Sequence, residues 1–255
     1  MTDKRRLVTV LGLVAAATLF WMENPWFRPE DIDPVVRTIT TVAFWLLFLS
    51  VVVLMFGERN DAGATEVQVE GPAFTRFLFS NTQAGLFWLP IRLFLGFSWI
   101  EAGWHKATGG GWLDGGSALA GYWANAVKLP EAPARPPISF EWYRDFLNFL
   151  ISGHHETWFA WLITFGEIAV GLGLLFGALT GLAAFFGALM NMSFLLAGSA
   201  SSNPVLFTMA IGLILAWRVA GYYGLDRYLL PRLGVPWHAR VNAGPTQPVG
   251  APMTS

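Results

Sequence analysis

A carboxylate inside an apolar run is the first residue of this chain that could do chemistry. Glu167 lies in Phe165-Gly166-Glu167-Ile168, within an apolar stretch over residues 157–197. A charge in hydrocarbon is costly, so an ionisable group there is functional or paired. Arg92 supplies the opposite charge in another apolar stretch, about 10 Å from that stretch's inner end by helical rise. The two expected depths allow a pair. It would serve either as a structural lock between two helices or as a proton or anion site at mid-membrane.

A second constellation is Trp99-Ile-Glu101-Ala-Gly103-Trp104-His105-Lys106. Glu101 and His105 are four apart and share a helix face, as a proton-handling pair would. Trp99 and Trp104 could stack on a planar ring, and Lys106 adds a positive charge. The plainer reading is an interfacial helix end, where Trp, His and Lys are ordinary. Asn191 falls mid-span and suits a hydrogen bond between helices. Asn203 closes the turn Gly198-Ser-Ala-Ser-Ser-Asn203-Pro204 and suits a helix cap. Asp226-Arg227 reads as a cap on the last long helix, and Gly173, Gly177 and Gly181 as close-packing positions.

These residues need elements to hold them. The chain has 255 residues, 54% hydrophobic and only 13% charged, with 13 Trp and 21 Phe. Its mean hydropathy is +0.48. A soluble domain carries about 25% charged residues, so this chain cannot coat a water-facing surface. A net charge of −1 argues against a nucleic-acid partner. There are no cysteines, which excludes disulfides and thiolate metal sites. None of the four His lies mid-span, so neither a haem held across the bundle nor a metal is expected. No phosphate loop, dinucleotide fingerprint or hydrolase elbow is present.

A span needs about 20 apolar residues. Six are expected, at residues 7–22, 35–56, 84–103, two within 157–197, and 205–223. The first follows Lys4, Arg5 and Arg6 and reads as an uncleaved anchor rather than a cleaved signal. Asp33-Pro34 opens the second. The long stretch breaks at Gly177-Ala-Leu-Thr180-Gly181. Basic residues at both ends, including Arg218, Arg227, Arg232 and Arg240, put both termini in the cytoplasm. Residues 57–83 then form a cytoplasmic loop, and 106–156 an outer loop, although that loop also carries Lys106, Lys128, Arg135 and Arg144. Within it Ser139 caps, and Gly153 ends, an amphipathic helix with Phe140, Tyr143, Leu147, Leu150 and Ile151 on one face. With Trp112, Tyr122, Trp123 and Trp142 this loop serves as a membrane anchor or a ligand lid. Residues 236–255 are polar and rich in Pro and Gly, as a disordered tail is.

Several short motifs resemble the DoxX/DoxD family. They are Arg92-Leu-Phe-Leu-Gly96 with Glu101-Ala-Gly-Trp-His-Lys106, Gly166-Glu167-Ile-Ala-Val-Gly171, Leu179-Thr180-Gly181-Leu-Ala-Ala184, Asn203-Pro204 and Gly224-Leu-Asp226-Arg227. The resemblance covers about residues 84–235. It implies an all-α integral membrane protein of the cell's inner (cytoplasmic) membrane, with a four-helix DoxX-like core over 84–235. Residues 1–56 would then be an added two-helix extension, and the loop helix extracytoplasmic. The resemblance further implies a subunit of a quinone-linked oxidoreductase, acting on thiosulfate or a related sulfur compound. Membrane quinone is its cofactor, and a further protein subunit its partner in the bilayer. Carried over by motif are Arg92, Glu101, Lys106, Glu167 and Asn203. In this reading Glu101, His105, Lys106 and Glu167 do the chemistry, while Arg92, Trp99, Trp104, Asn191 and Asn203 bind. Two rivals stand beside it, a structural subunit without chemistry and a small-molecule transporter.

The topology has a direct test. Reporter fusions after residues 30, 65, 130, 179, 201 and 250 should alternate sides, beginning outside. Residues 30 and 65 on one side would remove the two-helix extension.

Overall fold

The computed structural model describes residues 33–57 and 71–235 apart from residue 132, with isolated positions among residues 7–18. The first expected span, most of the polar loop over 57–70 and the tail therefore lie outside the described residues. All regular structure among the described residues is helical. The chain divides into two compact units, residues 1–70 and 71–255.

In the first unit, α1 spans Pro34–Gly57. It starts where the sequence places it. The Asp33 carboxylate accepts from the Val35 N–H at 2.7 Å, and Pro34 takes the first helical position, where no N–H is needed.

The second unit holds the remaining helices. The short α2, Ala73–Ser80, falls inside the stretch expected as loop, and the Trp88 indole anchors it by donating to Leu78 O at 2.8 Å. Helix α3 spans Gly85–Thr108, α4 Ser117–Ala126, α5 Glu141–Ser152, α6 Glu156–Phe176, α7 Thr180–Leu196, α8 Asn203–Leu215 and α9 Asp226–Arg232. Among the described residues one helix, Glu156–Phe176, is long and apolar enough to cross a membrane by length and composition. Thr180–Leu196 and Asn203–Leu215 are apolar but shorter. Helix α3 is long but carries Arg92, Glu101 and Lys106. The sixth expected span stops at Leu215 and continues as turns to Leu225.

Helix α3 packs along α6, which packs on α7, and α7 on α8. Missing side chains set the closest approach. A Cβ on Gly96 would lie 2.9 Å from Leu175 N, and one on Gly103 would lie 3.1 Å from Thr164 O. Close packing of this kind holds helices together where the hydrophobic effect cannot. The sequence reading assigned that role to Gly173, Gly177 and Gly181. Gly177 instead ends α6 at φ +64°. Ala178 N–H donates to Gly173 O at 2.8 Å and Gly177 N–H to Leu174 O at 3.2 Å, the paired bonds of a Schellman cap.

Two apolar clusters fill the unit. One joins Trp88, Leu95 and Trp99 to Val170, Leu174, Ala184, Ala188 and Leu213. The other, called outer because it lies at the loop expected outside, joins Leu119 and Trp123 of α4, Tyr143, Leu147 and Leu150 of α5, and Ala160, Ile163 and Ala197. The loop over 106–156 is thus a packed cap. Its amphipathic helix starts at Glu141 with no side-chain cap from the expected Ser139. Phe140 stays outside the buried face, at 39% exposure. Arg144 instead ties the entry by donating to Ile138 O at 2.7 Å.

The α6–α7 turn yields a prediction. Gly177→Ala forces a side chain into the left-handed region, which costs about 1–2 kcal/mol, and its Cβ would overlap the Arg92 guanidinium. Thermal unfolding in detergent should show a loss at the top of that range or beyond it. Gly166→Ala, whose Cβ would meet only Met190 Sδ at 3.7 Å, should be neutral or stabilising. Equal effects would remove the special role of Gly177.

Candidate functional site

The two apolar clusters leave a polar layer between them. On α6 the buried positions run Ala160 and Ile163 in the outer cluster, then Thr164 and Glu167, then Val170 and Leu174 in the inner one. On α7 they run Ala184 and Ala188, then Asn191. On α3, Trp99, Gly103 and Lys106 succeed each other on one face, one turn apart.

Glu167 is 1% exposed and Lys106 19%. The Lys106 ammonium donates to both carboxylate oxygens, at 2.7 and 3.0 Å. The expected Arg92–Glu167 pair is therefore corrected. Arg92 lies fourteen residues before Lys106 on the same helix, roughly 21 Å away along the axis, so it cannot reach Glu167. Lys106 also lies over the Trp112 ring at 5.1 Å, a cation–π contact from the cap.

Around this pair, buried polar atoms stand without a partner. They are Trp99 Nε1, Thr164 Oγ1 and both amide atoms of Asn191. The helix-to-helix bond expected of Asn191 is not made. The Trp99 indole lies over α7, 3.0 Å from where a Cβ on Gly187 would stand, one turn from Asn191. Buried polar atoms are normally satisfied. Three helices here present donors, and Asn191 an acceptor as well, to one layer beside an ion pair. Thr164 was not singled out in the sequence, and Trp112 was read only as part of the aromatic set of the loop. Thr164 had a signal, standing three residues from Glu167 on the same face.

The other expected residues fall elsewhere. Glu101, Trp104 and His105 occupy the exposed face of α3, with Trp104 at 62%. No ion pair joins Glu101 to His105 among the described residues. Asn203 is local, its amide donating to Ser199 O at 2.8 Å. Arg92, 1% exposed, donates to Tyr223 O at 3.1 Å at the inner end. Asp226 acts on it electrostatically. The Asp226 carboxylate accepts from Leu179 N–H at 2.6 Å and Thr180 N–H at 2.9 Å. It therefore caps α7 from a distant part of the chain, where the sequence reading had it cap its own segment.

Above the layer, the Tyr143 hydroxyl donates to Ser193 O at 2.8 Å. Burial pushes its pKa up to about 12, helped by Tyr122 and opposed by the Ser193 side chain. The phenol is neutral at any physiological pH and stays a donor.

Among the described residues, helices alone enclose a buried ion pair and unpartnered polar groups between two apolar clusters, and one of these helices is apolar and long enough to cross a membrane. The family comparison is more specific. The DoxD family, described as "TQO small subunit DoxD", matches residues 87–241. The chain belongs to the DoxD family. No curated protein and no solved structure matches it.

The ion pair predicts an asymmetry. Lys106→Met leaves the Glu167 carboxyl buried and forces it to take up a proton. Glu167→Gln leaves a lysine that can turn to the surface. Chemical or thermal unfolding should show the larger loss for Lys106→Met. Its size should lie at or below the lower end of the about 3–5 kcal/mol seen for fully buried pairs, because Lys106 is partly open. The double variant should recover part of that loss. Additive losses would mean the two side chains do not interact.

Proposed function

We propose that this chain is the membrane subunit of a quinone-linked oxidoreductase, with thiosulfate or a related sulfur compound as electron donor. Its polar layer would hold the quinone head group. The observation that carries the reading is the set of unpartnered buried groups, Trp99 Nε1, Thr164 Oγ1 and the Asn191 amide, beside the Glu167–Lys106 pair.

The residues fit the group. A quinone head is a flat apolar ring with two carbonyl acceptors. Trp99, Thr164 and Asn191 supply neutral donors, and the indole supplies an apolar face. When bound, quinone takes up two electrons and two protons. Glu167 and Lys106 hold an exchangeable proton in a site from which the flanking clusters exclude water. Of the two, Lys106 is the side chain that reaches the surface, so it connects the layer to outside protons or to an arriving anion. Electrons must enter from the sulfur donor or from a cofactor on a partner subunit, because a chain without cysteine has no thiol relay. Both termini in the cytoplasm and the inner membrane as location belong to the same proposal.

The test is purification of the full chain with its native partners in mild detergent, followed by extraction of bound lipids. Quinone should co-purify. Trp99→Phe and Asn191→Leu should each weaken its retention about twofold to tenfold, the equivalent of one hydrogen bond of about 0.5–1.5 kcal/mol. Glu167→Gln should keep the quinone and lose its reduction. Partners retained without quinone would favour a scaffold, and solute uptake in proteoliposomes a transporter.

A further inference from the structure

Helix α5 has three faces where an ordinary surface helix has two. Tyr143, Leu147 and Leu150 are buried in the outer cluster. Glu141, Asp145, Asn148 and Ser152 form a polar face, all exposed or capped at the helix end. Between them runs a third stripe, Trp142, Phe146 and Phe149, at 50%, 43% and 62% exposure. These recur at helical spacing, about 100° round from the buried face. Three aromatic side chains in a row facing water would be an unusual cost.

The stripe is continuous with the outward face of α6. Phe149 lies 5.6 Å from the His155 ring, and His155 lies 5.9 Å from Trp158. The Trp158 indole donates to His155 Nδ1 at 3.2 Å. Beyond Trp158 the exposed side of α6 continues through Trp161, Leu162 and Phe165. That helix is, among the described residues, the one apolar and long enough to cross a membrane. Its outward face is therefore the lipid face, and the aromatic ladder carries that face round onto α5.

We infer that α5 lies along the outer membrane boundary, with Trp142, Phe146 and Phe149 in lipid, Tyr143, Leu147 and Leu150 in protein, and Asp145 and Asn148 in water. A helix at a junction of three media needs one face for each. Trp and other aromatic rings favour the headgroup level. The Tyr143 hydroxyl pins α5 to Ser193 O, two residues from Asn191, or roughly 3 Å along the helix axis. The polar layer thus lies next to the point where α5 is attached, with Glu167 near the middle of Glu156–Phe176. This rests on membership of a membrane family and on the packing, and is independent of quinone.

The chain has no cysteine, so single cysteines can be spin-labelled in the full-length protein without a background. Phe146→Cys, Phe149→Cys, Asp145→Cys and Asn148→Cys would be labelled in phosphatidylcholine–phosphatidylglycerol vesicles and compared by power saturation with oxygen and a water-soluble nickel chelate. Labels at 146 and 149 should favour oxygen, and labels at 145 and 148 the chelate. If the chelate reaches all four, the stripe faces water and the inference fails. If 146 and 149 are shielded from both reagents, a partner subunit or second copy covers them and it also fails. Should Phe146→Cys not fold, Trp142→Cys on the same stripe carries the comparison.

Discussion

The Glu167 carboxylate must not stand alone in the interior, and much of the second unit follows from that constraint. An unpaired charge there is costly enough to unfold a marginally stable bundle. Its partner comes from Lys106, near the last turn of α3. That helix must therefore continue to Thr108, past the end expected for a simple span. It must also lie close enough to α6 for a lysine side chain to bridge the gap, and the absent side chains at Gly96 and Gly103 provide this. Finally, water must be kept from the pair. The cap built by α4, α5 and Trp112 does so, and leaves only Lys106 partly open.

The opposite end of α3 solves a second charge problem separately. The Arg92 guanidinium is packed against Gly177 and Gly224, bonded to Tyr223 O, and offset by Asp226. Asp226 also accepts two N–H groups at the start of α7, where Leu179 is held at φ +49°. A non-glycine residue in that conformation needs support from its surroundings. The α6–α7 hairpin, the turns after α8 and Arg92 are thus one structural knot. The apolar cluster of Leu95, Leu174, Ala184 and Leu213 separates it from the polar layer. Unpartnered buried atoms remain on both sides of that cluster, Arg92 Nε and Nη1 and Thr180 Oγ1 in the knot, and Trp99 Nε1, Thr164 Oγ1 and the Asn191 amide in the polar layer.

Local chemistry was legible in the sequence, while orientation was not. Asp33-Pro34, Gly153 and the break at Gly177 act through backbone rules that hold wherever they occur, and each ends or starts a helix where expected. The pairing of Glu167 with Arg92 failed because it compared depths and ignored faces. Arg92, Trp99 and Lys106 are spaced by sevens and share one face of α3, while Glu101 and His105 lie on the other. Lys106 was therefore marked by its spacing, but nothing local distinguished it from an interfacial lysine. The cap on α7 by Asp226 joins residues 46 and 47 apart. No short-range pattern reports such a bond. Helix α4 and the early end of α8 were missed for the same reason, since both depend on what packs against them.

The polar layer also suits the role proposed for a chain without cysteine in an oxidoreductase. Electron transfer needs a group that changes oxidation state, and a cofactor or substrate can bring it. Proton transfer needs a group already in place at the reacting atoms, because protons move only over hydrogen-bond distances. A membrane subunit is the right place for the second task. It can hold an ion pair dry, set neutral donors around it, and leave a single flexible cation in contact with the surface. Glu167, Lys106, Trp99, Thr164 and Asn191 have those properties, and each comes from a helix whose position is fixed elsewhere in the fold. The division of labour in the proposed enzyme would then follow from solvent. The protein partner handles what can be done in water, and this chain handles the step for which water must be excluded.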